Sequence, residues 1–158
     1  MSPLSQRSIK AVLKLLKKQI DQIEAETEKL VEGDDHWRNQ AQLIQSNPGL
    51  GEISAATIVA YLPEIGELNR EQIALLASLA PINNDSGKSE GQRSIRGGRQ
   101  SIRNVLYMAA FTAKQHNPVI KAFAERLEKN GKAFKVVIPA CMRKLMTIAN
   151  ALVKSATP

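Results

Sequence analysis

Apolar positions recur along most of this chain at helical spacing, and the phase of the pattern resets at a small set of glycines and prolines. Ile9, Leu13, Leu16, Ile20, Ile23, Thr27 and Leu30 alternate intervals of four and three, a heptad seam. That spacing predicts a coiled-coil helix over residues 1–33, with a long amphipathic helix lying on its own domain as the other reading. Gly33-Asp34-Asp35 ends it, and a second helix begins near His36 or Trp37, with Trp37 as an apolar anchor. Leu43-Ile44, Pro48-Gly49-Leu50-Gly51 and Ala55-Ala56-Thr57-Ile58-Val59 then match a helix-hairpin-helix at about 37–62. The glycines permit the tight turn, Leu50 plugs between the helices, and the alanines let them approach closely. The backbone N–H groups of such turns commonly hold a DNA phosphate, which makes Gly49 and Gly51 candidate phosphate-binding positions. A purely structural turn stands as the equal alternative, because residues 48–80 hold Arg70 against Glu52, Glu64, Glu67 and Glu71.

Downstream, Pro63 closes the second hairpin helix, and Asn69 with Gln72 forms a capping-box pattern ahead of Ile73, Leu76 and Leu79. Pro81 ends that short helix. Ile102, Val105, Leu106, Ala109 and Ala110 mark another, and Asn117-Pro118 reads as N-cap and first-turn proline for a helix with Ile120, Phe123 and Leu127 inside and Gly131 as its stop. The last helix places Ile138, Cys141 or Met142, Leu145, Ile148 or Ala149, and Leu152 on one face, with Pro139 either beginning or kinking it. Aromatic residues make up only 4% of the chain, whereas helix formers abound. The expected fold is all-α: an N-terminal coiled-coil helix followed by a helical domain over 34–158 that contains the helix-hairpin-helix.

Charge changes this picture by dividing the chain. The formal net charge is +7, yet every positive excess lies after residue 80, where Lys and Arg far outnumber Asp and Glu. This is the footprint of a basic face and points to nucleic acid, with an acidic protein surface as the alternative. The stretch between Pro81 and the Ile102 helix is polar and glycine-punctuated, and carries Lys88, Arg93, Arg96 and Arg99, with Arg103 just inside the helix. Gly97-Gly98 allows a sharp turn, and the free N–H groups of the following helix start suit an anionic oxygen such as phosphate. Ser86, between Asp85 and Gly87, reads on its own as a turn residue.

The wider context supplies a second reading of Ser86. Leu79-Ala80-Pro81, Ser86-Gly87, Ile95-Arg96-Gly97-Gly98, Ile102-Arg103 and Leu106-Tyr107-Met108-Ala109-Ala110 together resemble the C-terminal transposase domain of the DEDD-type insertion-sequence transposases, the bridge-RNA-guided recombinases. The resemblance covers roughly residues 45 to 153. It departs at Ser78, where glycine is usual before Leu-Ala-Pro, and at Arg99, where asparagine is common. The resemblance implies that Ser86 is a serine nucleophile in DNA strand exchange through a phosphoserine intermediate. It also implies phosphate binding by Arg96 and Arg103, whose places match the motif, and an N-terminal RuvC-like domain that holds Mg2+ on four acidic residues. This chain is expected to be inactive without that domain and to bind no cofactor itself. DNA, and a guide RNA, are the implied partners.

Other chemistries find little support. Cys141 is the single cysteine, so neither an internal disulfide nor a cysteine-based zinc cluster arises, and its apolar helix context predicts a buried thiol suited to a reducing cytoplasm. His36 has no second ligand nearby in sequence, His116 sits at a helix joint where a helix-end role outranks catalysis, and Glu52, Glu64 and Glu67 show no ligand spacing. No stretch approaches ~18 uninterrupted apolar residues, so no membrane association is expected. The heptad seam predicts a homodimer through the N-terminal helix. Two rival functions fit the same residues: a non-enzymatic helix-hairpin-helix DNA-binding module, and a coiled-coil protein-interaction module.

Overall fold

In a computed structural model, which describes residues 3–82, 94, 95 and 97–156, the periodic segments form seven helices. Helix α1, Pro3–Gly33, stops at the predicted glycine. Helix α2, Asp35–Gln45, begins where Asp34 accepts hydrogen bonds from the N–H groups of His36 and Trp37, and α3 follows as Glu52–Tyr61. Asn69 and Gln72 close the expected capping box at the start of α4, Arg70–Leu76. Helices α5, Gln100–His116, α6, Pro118–Lys129, and α7, Phe134–Ala156, complete the set. The all-α expectation holds, with one addition: Pro81–Ile82 (β1) pairs antiparallel with Ser94–Ile95 (β2).

The core lies between α5 and α7. Helix α5 packs on α3, α6 and α7, and α7 also meets α2 and α4. Ile44, Ile58, Ile102, Leu106, Ile120, Leu145 and Met146 are fully enclosed there. On α7 the buried face runs through Val137, Ile138, Cys141, Met142, Leu145, Met146, Ala149, Asn150 and Val153, so Val153 and not Leu152 ends the stripe, and Pro139 sits inside the helix. Helix α7 is long and apolar enough to cross a membrane by length and composition, but half of its apolar window is buried against the other helices. Burial raises the pKa of the enclosed Cys141 thiol, as expected for an inert cysteine.

Two buried asparagines staple the helices together. Asn117 accepts from the N–H groups of Val119 and Ile120 and donates to Asn47 Oδ1 at 2.9 Å and to the Pro48 carbonyl at 2.8 Å. It therefore fixes the α2–α3 turn to the α5–α6 corner. Asn150 accepts from the Gly66 N–H at 2.8 Å and donates to the Leu68 carbonyl at 2.9 Å, which ties the α3–α4 connection to α7. Helix α1 is bound less completely. It packs on α2 and α3 and buries Val31, yet Ile9, Leu13, Leu16, Ile20, Ile23 and Leu30 remain 47% to 68% exposed.

Candidate nucleic-acid interface

Between α4 and α5 two short paired strands form a neck. Pro81 pairs with Ile95 and Ile82 with Ser94 across β1 and β2. Immediately beneath, the Arg99 N–H donates to the Leu76 carbonyl at 3.0 Å. Gly97 and Gly98 both have positive φ, 71° and 65°. A Cβ on Gly98 would lie 2.5 Å from Ser78 Oγ and 2.8 Å from the Leu75 carbonyl, so only glycine fits that approach. Ser78 is itself left-handed, with φ 59°, and its buried hydroxyl has no hydrogen-bond partner among the described residues. Its conformation explains why glycine suits this position: serine carries a Cβ penalty there.

Arg99 seals the same neck. Its guanidinium makes a two-pronged ion pair with Glu64, at 2.7 Å to each carboxylate oxygen. The fork geometry and charge hold the Glu64 carboxyl down to about 2, against a usual value of 4.5. Arg99, read from sequence as a phosphate ligand, thus has a carboxylate partner in this structure.

Arg99 also occupies the N-cap of α5 without capping it through its side chain, and no acidic residue lies in that helix's first turn. The N-termini of α2, α4 and α6, by contrast, are capped by Asp34, Asn69 and Asn117. The positive end of α5 is therefore presented at the neck without a side-chain cap or an acidic residue in its own first turn, the nearby Glu64 carboxylate being engaged by Arg99. Arg103, one turn along, donates to the Gln100 side chain and is half-buried. Ser86, Lys88, Arg93 and Arg96 lie outside the described residues.

The other pair of predicted phosphate positions sits elsewhere. Gly49 has φ 106°, and a Cβ there would come within 2.5 Å of the Ala113 Cβ, so this glycine lets the α2–α3 turn rest on α5. Leu50 is buried beside it. Gly51 is exposed at the N-cap of α3, with Glu52 in the first turn. An acid in that turn opposes an incoming phosphate. Among the described residues, no three of His, Cys, Asp and Glu converge as metal ligands.

Sequence reasoning did not find the neck. Neither the β1–β2 pairing nor the Arg99–Glu64 bridge has a local signature, because the first joins two-residue segments and the second spans 35 positions. The signal that was available was Ser78, a serine where the resemblance expects glycine.

Residues 41–125 match the family described as "Transposase IS116/IS110/IS902 family", a span that runs from the end of α2 through α3, α4, the neck and α5 into α6. Among similar proteins, the pilin gene-inverting protein of Moraxella bovis is 30% identical over 146 residues, covering 88% of this chain and 44% of that protein. The pilin gene-inverting protein of Moraxella lacunata is 28% identical over 143 residues, with the same 88% and 44% coverage. The insertion element IS900 uncharacterized 42 kDa protein of Mycobacterium paratuberculosis is 25% identical over 135 residues, which is 82% of this chain and 33% of that protein. The chain thus spans less than half the length of these relatives.

Proposed function

Because the chain belongs to the transposase IS116/IS110/IS902 family, we propose that it forms the serine-bearing, DNA-binding part of a recombinase that moves or inverts DNA segments. The observation that carries this reading is the family match across the neck, joined to the uncapped, acid-free start of α5 at the same place. The Ser86 hydroxyl attacks a DNA phosphodiester: its oxygen bonds to phosphorus, its proton leaves, and the deoxyribose–oxygen bond to phosphorus breaks to release a free DNA hydroxyl. Attack by a hydroxyl of the exchange partner on the phosphoserine restores the serine and joins the new strand. Arg96 and Arg103 neutralise the phosphoryl oxygens, for which bidentate guanidinium groups are suited, and the α5 N-terminus adds its dipole.

In this proposal Mg2+ belongs to a companion acidic nuclease domain of the DEDD type, as the family resemblance implies. A guide RNA is a proposed partner of the complete recombinase. The relatives named for pilin gene inversion support DNA rearrangement as the outcome. The uncovered seam of α1 supports pairing with the α1 of a second copy.

The test is recombination by the complete enzyme carrying Ser86→Ala. A nucleophile role predicts loss of strand exchange and of any covalent protein–DNA adduct, with stability unchanged to within roughly 0.5 kcal/mol. Normal exchange by the stable variant would refute the assignment.

A further inference from the structure

A second basic site lies away from the neck, at the other end of α4. Arg70 at the start of α4, Arg126 on α6, and Arg143 and Lys144 on α7 surround one open cavity of about 530 Å³, and among the described residues no carboxylate lines it. Arg70 at the cavity and Leu76 at the neck are the two ends of α4, roughly 9 Å apart at 1.5 Å per residue. Arg126, Arg143 and Lys144 lie outside the family-matched span, so nothing in the nucleophile motif accounts for them.

The cavity is built to hold its charges in place. The Lys144 ammonium stands 4.6 Å and the Arg126 guanidinium 5.3 Å from the centre of the Phe123 ring. Two like charges share one aromatic ring, and each costs the other energy until an anion lies between them. Arg143 adds an independent sign: its Nε is buried and has no hydrogen-bond partner among the described residues. A buried donor without an acceptor is costly, and this one belongs to a side chain that lines the cavity. Thr147 contributes a hydroxyl on the same wall, although its Oγ1 already donates to the Arg143 carbonyl.

We propose that this α4–α6–α7 cavity is a second nucleic-acid site, which grips consecutive backbone phosphates of a strand at a distance from the reacting one. The proposal rests on the DNA-recombination reading for the presence of nucleic acid, but not on Ser86. Its phosphodiester chemistry is common to duplex DNA and to RNA. The cavity supplies charge and a shared ring but no base-specific contact, so it positions a strand without reading its sequence.

The experiment titrates the full chain with a fluorescent mixed-sequence DNA duplex, and separately with a single-stranded RNA of equal length, across a salt series. The double variant Arg126→Gln, Lys144→Gln should weaken binding of one or both probes roughly tenfold or more near 0.1 M salt. It should also flatten the log–log salt dependence by about one unit for each phosphate that is no longer neutralised. Arg70→Glu, exposed and on a different helix, should act in the same direction and decides the matter if the double variant unfolds. A weakening confined to the duplex assigns the cavity to DNA, and one confined to the single strand assigns it to RNA. If the parent chain binds while both folded variants bind as tightly with the same salt slope, the cavity proposal is overturned and the neck reading stands. A parent chain that binds neither probe at low salt overturns both.

Discussion

Ser78 shows how one side chain records the demands of its neighbours. It holds a left-handed backbone, buries an unpartnered hydroxyl and receives Gly98 against its own backbone. Serine is penalised by the first two conditions, and glycine by neither. Ser78→Gly should therefore raise stability by about 1 kcal/mol, after the greater freedom of glycine in the unfolded chain is subtracted. For a chain of this size that is a rise of roughly 2–4 °C in the thermal unfolding midpoint. An unchanged or lowered midpoint would mean that the serine hydroxyl contributes something the described contacts do not include. The departure from glycine was visible in the sequence, and its reason is local. Ser78 is the left-handed residue that ends α4, where the Leu79 N–H donates to the Ala74 carbonyl at 2.7 Å and the Ser78 N–H to the Leu75 carbonyl at 3.0 Å. The close seat of Gly98, 20 positions later, left no trace in sequence order.

Among the elements, the helices were the most legible. Asn69 with Gln72, Asn117 with Pro118, and Gly33 each act locally, within a turn of the residue that needs them, so their effects survive in sequence order. The β1–β2 pair and the Arg99–Glu64 bridge join distant positions and left no such trace. Helix α1 lies between these cases: its seam was legible, and the structure leaves most of it in solvent. Its charges run Lys10, Lys14, Lys17 and Lys18 first, then Glu24, Glu26, Glu28 and Glu32, an order that opposes the helix dipole. An antiparallel α1 pair centred near Ile20 sets each lysine-rich half beside a glutamate-rich half and covers the seam, whereas a parallel pair sets lysine against lysine. In a Cys141→Ala background, Lys10→Cys with Glu32→Cys should form disulfides between unlike positions of two chains, located by peptide mapping. Links joining only like positions would make the pair parallel, and a monomer at tens of micromolar by light scattering would remove it.

At the scale of the whole molecule, acid stability depends in part on the brace across the neck. Glu64 is ionised more readily in the fold than in the open chain, so its bridge to Arg99 stabilises the protein above about pH 4.5 and loses that effect as pH falls toward about 2. With side chains 32% and 40% exposed, solvent screening reduces the contribution to the order of 1 kcal/mol. The stability difference between the parent and Arg99→Gln, from urea unfolding, should be present at pH 6 and shrink steadily below pH 4.5. A difference that does not vary with pH would assign the effect of Arg99 to packing alone.

The neck has a consequence for how such a molecule can change. Because β1 and β2 pair, and Gly98 seats on Ser78, the two ends of the intervening stretch are held together by the helical body itself. The entropy of closing a chain segment grows only with the logarithm of its length, about 0.6 kcal/mol for each doubling. Insertions, deletions or wholesale replacement between residues 83 and 93 would therefore cost the fold little. The body acts as a socket, and the stretch inserted in it is free to diverge faster than the scaffold that presents it.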